Sequence, residues 1–335
     1  MEHVINDIKQ KFLSGVPIDK IDINTDMLFD WNLQEFLIKE TVLNDLNITY
    51  PLKVEYQVSF LKYLLRKLQE LQIEEIHDAI YEQLTIKLRE ANLEYSYKHF
   101  LMQDKGITIK ESNSFVRDGT TGLKLWPAAL ALSDFILQNK LKFKDKSVLE
   151  LGSGGTGLIG LVLLKMCEPC KVFLSDCHNL VLENISKNIL MNLKDVEKEN
   201  LQNSLRVHTH LSLANKMKEF GILDLAWEDI DASKSEILKL KPNVLLAADV
   251  IYDVSIFVPL IKCIKEVFQI AGPSLVFYLS QTIRSITTFN EFSNLLRENN
   301  FKITKIEFIS KHFFIDETST EIQIFEVKLN EKLVQ

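Results

Sequence analysis

The sequence predicts an α/β protein: a helical region over residues 1–104, then a mostly parallel sheet of seven strands within residues 105–335. Three observations predict it. Apolar residues recur at helical spacing before residue 105, strand-like and helix-like segments alternate after 145, and a glycine-rich turn joins the first of those strands to a helix. At 335 residues the chain is long enough for two domains, and 46% hydrophobic with 25% charged residues is globular composition. A net charge of −7 without a basic run argues against direct binding to nucleic acid, which needs Lys and Arg to neutralise phosphates. No stretch approaches the about eighteen apolar residues of a membrane span. The opening MEHVINDIKQ has no apolar core, so no signal peptide is expected. Cys167, Cys170, Cys177 and Cys263 suit reduced thiols in a cytoplasmic protein; the CxxC of the first two lacks a second pair or clustered His, so no metal site is expected.

Taken in order, helical stripes run through Leu33, Phe36 and Leu37, then Val58, Leu61, Leu65 and Leu68, then Ile73, Ile76, Ile80, Leu84 and Leu88. Tyr50-Pro51 separates the first two, because proline pushes the residue before it out of the helical region. Ile107–Ile109 and the segment around Phe115 read as short strands, with Asp118-Gly119 as a turn. Leu123–Leu137 reads as a helix with Trp126-Pro127 at its start, where proline fits the first turn. The strands expected after 145 are Ser147–Leu151, Lys171–Ser175, one within 205–226, Val244–Ala248, Ser274–Ser280, Ile303–Ile309 and Glu321–Lys328. Helices fall at Leu158–Met166, Asn179–Met191, Ser255–Ile270 and Phe289–Glu298. The third strand stays open between Leu205–His210, Ile222–Ala226 and a split pair, because residues 208–222 look inserted. Too few residues separate the last two strands for a helical crossover, so they should close the sheet as an antiparallel pair.

The most informative segment is Glu150-Leu151-Gly152-Ser153-Gly154-Gly155-Thr156-Gly157, between an apolar strand and a helix. Glycines allow a sharp turn and a close approach to a ligand, and the amides at the helix start can face an anionic or polar group. Gly152, Gly154 and Gly157 satisfy GxGxxG, and Asp176 ends the next strand, where a carboxylate can hold both hydroxyls of an adenosine ribose. On these residues alone NAD and S-adenosylmethionine fit equally. An NAD-dependent oxidoreductase would also need a hydride-handling group, and no persuasive candidate stands out.

Segments 111–126 (ESNSFVRDGTTGLKLW), 147–154 (SVLELGSG), 175–178 (SDCH) and 245–252 (LLAADVIY) resemble the class I, seven-strand protein-lysine methyltransferases, and among them the enzymes acting on eukaryotic elongation factor 2. The resemblance runs from about Trp31 to near the C-terminus and is clearest between 111 and 260. It implies a Rossmann-like sheet, S-adenosyl-L-methionine as cofactor, elongation factor 2 as protein substrate, and a cytoplasmic monomer. It further implies that Trp126 packs beside the cofactor, that Gly152, Ser153 and Gly154 form the loop around it, and that Asp176 holds its ribose. Trp227 would lie against the adenine. Glu150 matches an acid that methyltransferases carry before the first glycine, and Ala248 precedes the family's D-x-x-Y signature, here Asp249 to Tyr252. The loop departs from the family in Gly155-Thr156-Gly157, which is one residue longer. Methyl transfer needs no protein nucleophile, so Asp249 is expected to capture and orient the target lysine, and Tyr252 to wall its channel. A lone carboxylate there would raise the lysine pKa and oppose deprotonation, a tension the sequence leaves standing. The remaining rival, a non-catalytic interaction protein on the same fold, is opposed by the intact Glu150, Gly152, Asp176 and Asp249.

Overall fold

A computed structural model describes residues 2–102, 105–193, 207–213, 216–313 and 321–330. The chain divides into two compact units, Met1–Arg117 and Asp118–Gln335.

In the first unit five helices, α1 (Glu2–Leu13), α2 (Trp31–Glu40), α3 (Asp45–Thr49), α4 (Val54–Glu70) and α5 (Asp78–Arg89), precede an antiparallel hairpin of β1 (Tyr95–Met102) and β2 (Lys105–Ser112). α4 buries Phe60, Leu61, Leu64 and Leu68 on one face, and the Phe12 ring of α1 packs against Phe60, the ring centroids 4.7 Å apart and the planes tilted by 54°. At the break before Pro51 the freed backbone is taken up by two buried amides. Asn47 Nδ2 donates to Val42 O and to Gln57 Oε1, Leu52 N donates to Asn47 Oδ1, and Gln57 Nε2 donates to Leu52 O. Where the sequence predicts only helix up to residue 104, Tyr95–Met102 is a strand. Its partner residues 105–112 complete its backbone hydrogen bonds, which helix-period reading of one segment does not register.

The second unit holds one eight-stranded sheet. Its strands are β3 (Ser147–Leu151), β4 (Lys171–Asp176), β5 (Val207–Leu213), β6 (Lys216–Asp224), β7 (Val244–Ala248), β8 (Val276–Thr282), β9 (Phe301–Ile306) and β10 (Ile322–Leu329), in the spatial order β5-β6-β4-β3-β7-β8-β10-β9. β6, β4, β3, β7 and β8 run parallel, and β10 lies antiparallel between β8 and β9. That is the seven-strand Rossmann-like sheet, with the closing pair antiparallel as the short connection requires. The eighth strand is β5, which pairs antiparallel with β6 at the edge. The open third strand is thereby settled as β6, starting earlier than Ile222; of the alternative Leu205–His210, residues 205 and 206 lie outside the described residues.

Helices α6 (Pro127–Gln138), α7 (Leu158–Met166), α8 (Asn179–Asn192), α9 (Lys234–Leu240), α10 (Phe257–Ala271) and α11 (Ile286–Glu298) complete this unit. Every residue of β3 is buried, as a central strand covered on both faces must be. β4 and β6 pack so closely that a Cβ on Gly221 would stand 2.3 Å from the Phe173 ring. The strand order reverses at β3, whose neighbours are β4 on one side and β7 on the other. In an open α/β sheet the crevice at the carboxyl ends of such strands is where ligands bind.

Candidate active site

At that crevice the glycine loop turns away from β3. Gly152, Gly154 and Gly157 have φ of 60°, 61° and 58°, the left-handed region that costs a residue with a Cβ about 1 kcal/mol or more. A Cβ on Gly152 would also lie 3.1 Å from both the Trp227 and Val250 side chains. Trp227 therefore faces the loop directly, beside the turn that follows β7.

The loop is held from three sides. Ser153 N donates to Ser175 O at 2.8 Å, and Gly155 N donates to Gly122 O at 2.6 Å. From α8, the buried Asn184 and Asn188 each donate a side-chain amide to Gly155 O at 2.9 Å. The longer part of the loop is thus clamped by α8 at Gly155. Gly157 caps α7, whose Leu161 N donates back to its carbonyl.

Asp176, at the end of β4, accepts from Cys177 N (2.9 Å) and His178 N (3.2 Å) on Oδ1 and from Gly154 N (3.3 Å) on Oδ2. Burial pushes its carboxyl up, and these three amides pull it back. Glu150 is compensated only by Ser153. It is 2% exposed, its Oε2 has no hydrogen-bond partner, and burial pushes its pKa up to about 8, with Ser153 lowering it and Asp176 raising it further. A buried carboxyl oxygen without a partner costs about 1–3 kcal/mol, so it marks a place where a bound donor or cation would be stabilised.

Across the crevice, Ala248 ends β7 and Asp249 follows with φ 55°, a conformation that Asp tolerates better than most residues. Gln281 clamps this turn, with Ile251 N donating to its Oε1 and its Nε2 donating to Ile251 O. The Asp249 carboxylate differs from the open acid of the sequence reading. Oδ1 accepts from Thr282 N (2.9 Å), Gln281 Nε2 (3.2 Å) and Arg284 Nη1 (3.3 Å); Oδ2 accepts from Thr282 Oγ1 (2.9 Å) and Arg284 Nη2 (3.3 Å). The guanidinium in turn lies 5.1 Å from the ring centroid of Trp126, the residue at the N-cap of α6.

Tyr252 is 64% exposed, and no hydrogen bond joins it to Asp249 among those described. Its phenol is raised by partial burial and then by Asp176, Cys177, Asp253 and Glu228, which places it toward Asp176. The structure thus groups Gly152 with Trp227, Gly154 with Asp176, and Asp249 with Trp126. Sequence reasoning missed Arg284, Gln281 and Thr282, although a charged residue just past the end of a parallel strand adjoining the D-x-x-Y strand was a usable signal. It also missed Asn184 and Asn188, whose spacing of four on a helix puts both on one face.

A family model described as lysine methyltransferase matches residues 101–297. Among curated proteins the chain is 31% identical to the protein-lysine N-methyltransferase EEF2KMT of Mus musculus, over 75% of this chain and 71% of that one. It is 28% identical to EEF2KMT of Bos taurus, over 88% of this chain and 86% of that one. It is 31% identical to the putative protein N-methyltransferase FAM86B1 of Homo sapiens, over 82% and 79% respectively. Taken with the strand order and the glycine loop, these matches place the chain in the lysine methyltransferase family, as an S-adenosylmethionine-dependent protein-lysine methyltransferase.

Proposed function

We propose that the chain methylates a lysine of elongation factor 2, using the crevice between the carboxyl ends of β3, β4 and β7. The observation that carries the site assignment is Glu150, a buried carboxyl with an unpartnered oxygen directly before a loop of left-handed glycines. Such an acid fits the ammonium of a bound amino acid, and Gly152, Ser153 and Gly154 fit the atoms that must pass close to the backbone. Asp176 would hold the ribose hydroxyls, Trp227 would lie against the adenine, and Trp126 and Ala248 would border the methyl end. When bound, S-adenosylmethionine supplies an electrophilic methyl: the lone pair of the lysine nitrogen forms the C–N bond as the C–S bond breaks, the sulfur leaves as a neutral thioether, and a nitrogen proton goes to water. The protein's part is placement and exclusion of water. Asp249 orients the lysine, and Tyr252 lines its approach.

The elongation-factor assignment is supported by the EEF2KMT relatives; FAM86B1 matches to a similar degree. Among the described residues no helix is long and apolar enough to cross a membrane; the four free cysteines fit a reducing compartment, which supports a cytoplasmic enzyme. The helical first unit would dock the protein substrate, with Phe29, Tyr81 and Leu88 among its exposed apolar side chains. Incubating the full chain with labelled S-adenosylmethionine and purified elongation factor 2 tests this, with Asp249→Ala as control. Label on elongation factor 2 that disappears in the control is expected. Label only on another protein of a mixed extract would overturn the substrate, and no label anywhere would overturn the activity.

A further inference from the structure

A lysine about to accept a methyl must first be neutral, yet its free pKa is about 10.4 and an isolated carboxylate alongside would raise it. The geometry around Asp249 bears directly on this conflict. Four of its five hydrogen bonds come from Thr282 and Arg284, and the fifth comes from Gln281. The Thr282 and Gln281 donors belong to β8 and are fully buried with the acid, whose side chain is only 4% exposed. Arg284 lies just beyond that strand and its side chain is 44% exposed. It makes the two longest contacts, both at 3.3 Å, one to each carboxylate oxygen. The guanidinium is thus the solvent-side cover of the acid, braced by the Trp126 ring on another face.

We infer that Arg284 is a positioning residue for methyl transfer: by offsetting the charge of Asp249 it turns an ammonium trap into a neutral ion pair, beside which the target amine is received without its extra proton. This inference rests on the reading of Asp249 as the residue that orients the lysine. A substrate ammonium nearing Asp249 meets a guanidinium and is disfavoured; a neutral amine meets the same pair without penalty. Arg suits the task because it stays protonated throughout the working range and its planar fork spans both oxygens. The other titratable groups described around the crevice include Tyr252, with Asp176, Cys177, Asp253 and Glu228 around its phenol, His178 beside Asp176, and Glu150 on β3. Partial burial and these neighbouring groups raise the Tyr252 phenol, and saturating cofactor removes the titration of Glu150 from the rate.

The test is the pH dependence of kcat and kcat/KM for the protein substrate at saturating cofactor, from pH 6.5 to 9.5, in wild type, Arg284→Gln and Arg284→Lys. For Arg284→Gln we expect a loss of tenfold or more at pH 7.5 that shrinks to threefold or less at pH 9.5, because alkali supplies the neutral amine that Arg284 otherwise favours. Arg284→Lys, which keeps the cation but loses the fork, should recover most of the neutral-pH rate. S-adenosylhomocysteine affinity should stay within twofold in both variants. A loss equal at every pH would overturn the inference, and so would an Arg284→Lys profile matching that of Arg284→Gln. Should Arg284→Gln fail to fold, the Arg284→Lys profile decides: a wild-type shape supports the inference and an alkaline shift overturns it. A wild type that binds cofactor but leaves the protein substrate unmodified would instead refute the function proposed above.

Discussion

The two units treat buried polar groups in opposite ways. In Met1–Arg117 several buried amides and an imidazole are paired: Asn47 with Gln57 around Pro51, Gln34 with Leu28 O, Glu75 O and His77 N, and His99 with Thr108 Oγ1 and Tyr50 O. Among the described residues, the buried side-chain polar atoms without a partner all lie in Asp118–Gln335: Ser133, Glu150, His178, Ser280 and Ser293. Glu150 is the penultimate residue of β3, beside the glycine loop, Ser280 gives its carbonyl to Asp249 N, and His178 N donates to Asp176 Oδ1. Three of these five residues, Glu150, His178 and Ser280, thus stand beside the crevice, while Ser133 and Ser293 lie within α6 and α11.

The sharpest way to break this contrast is Glu150→Gln. The Glu150 carboxyl titrates near 8 in the fold against 4.5 ordinarily, so the folded chain keeps a proton that the unfolded chain has lost. Stability is therefore complete below pH 4.5 and declines as pH rises toward 8. Glutamine has no proton to lose. At pH 8 the variant should be more stable than wild type by about 4 kcal/mol in urea unfolding, while its methyltransferase rate at limiting cofactor falls. A variant no more stable than wild type would mean that the acid is not stranded.

The first unit should respond with the opposite sign. Burial lowers His99 to about 4 from 6.5, so its contribution is complete above pH 6.5 and is lost as pH falls toward 4. In the Glu150→Gln background, which removes the opposing slope, about 2 kcal/mol should disappear between pH 6.5 and pH 5, and His99→Asn should flatten that loss. If the slope survives His99→Asn, the titrating group is elsewhere. Asn47→Ala sharpens the comparison from another side: it strands Gln57 Oε1 and Leu52 N, costing about 2 kcal/mol, with cofactor affinity unchanged. A parallel fall in affinity would show that the units are not energetically separate.

Much of this arrangement was legible in the residues. β3, α7 and β7 begin and end where periodicity and the glycine turn put them, because a buried parallel strand is a continuous apolar run and its boundaries are chemically abrupt. The hairpin strand β1 was not, since pairing with β2 rather than any local pattern makes it a strand. β8 extends two residues past the expected Ser280, which hid Gln281 and Thr282 and with them the ion pair of Asp249 and Arg284. A motif identifies an acid; only the fold reveals what already occupies it.

The smallest expected effect is also the most specific. If Glu150 receives the cofactor's ammonium, the productive form is the carboxylate, which is the minor species below pH 8. Apparent affinity for S-adenosylhomocysteine should then rise about tenfold from pH 6.5 to 7.5, following the ionised fraction, and level off near 8. Binding at pH 7 should release about one proton, measured by calorimetry in two buffers of different ionisation heat. In Glu150→Gln both the slope and the released proton should vanish, leaving weaker binding. The ligand's own amine cannot imitate this, because its loss of a proton at higher pH would weaken binding rather than strengthen it. A wild-type affinity flat across this range would therefore remove Glu150 from the cofactor site, however well the glycine loop fits.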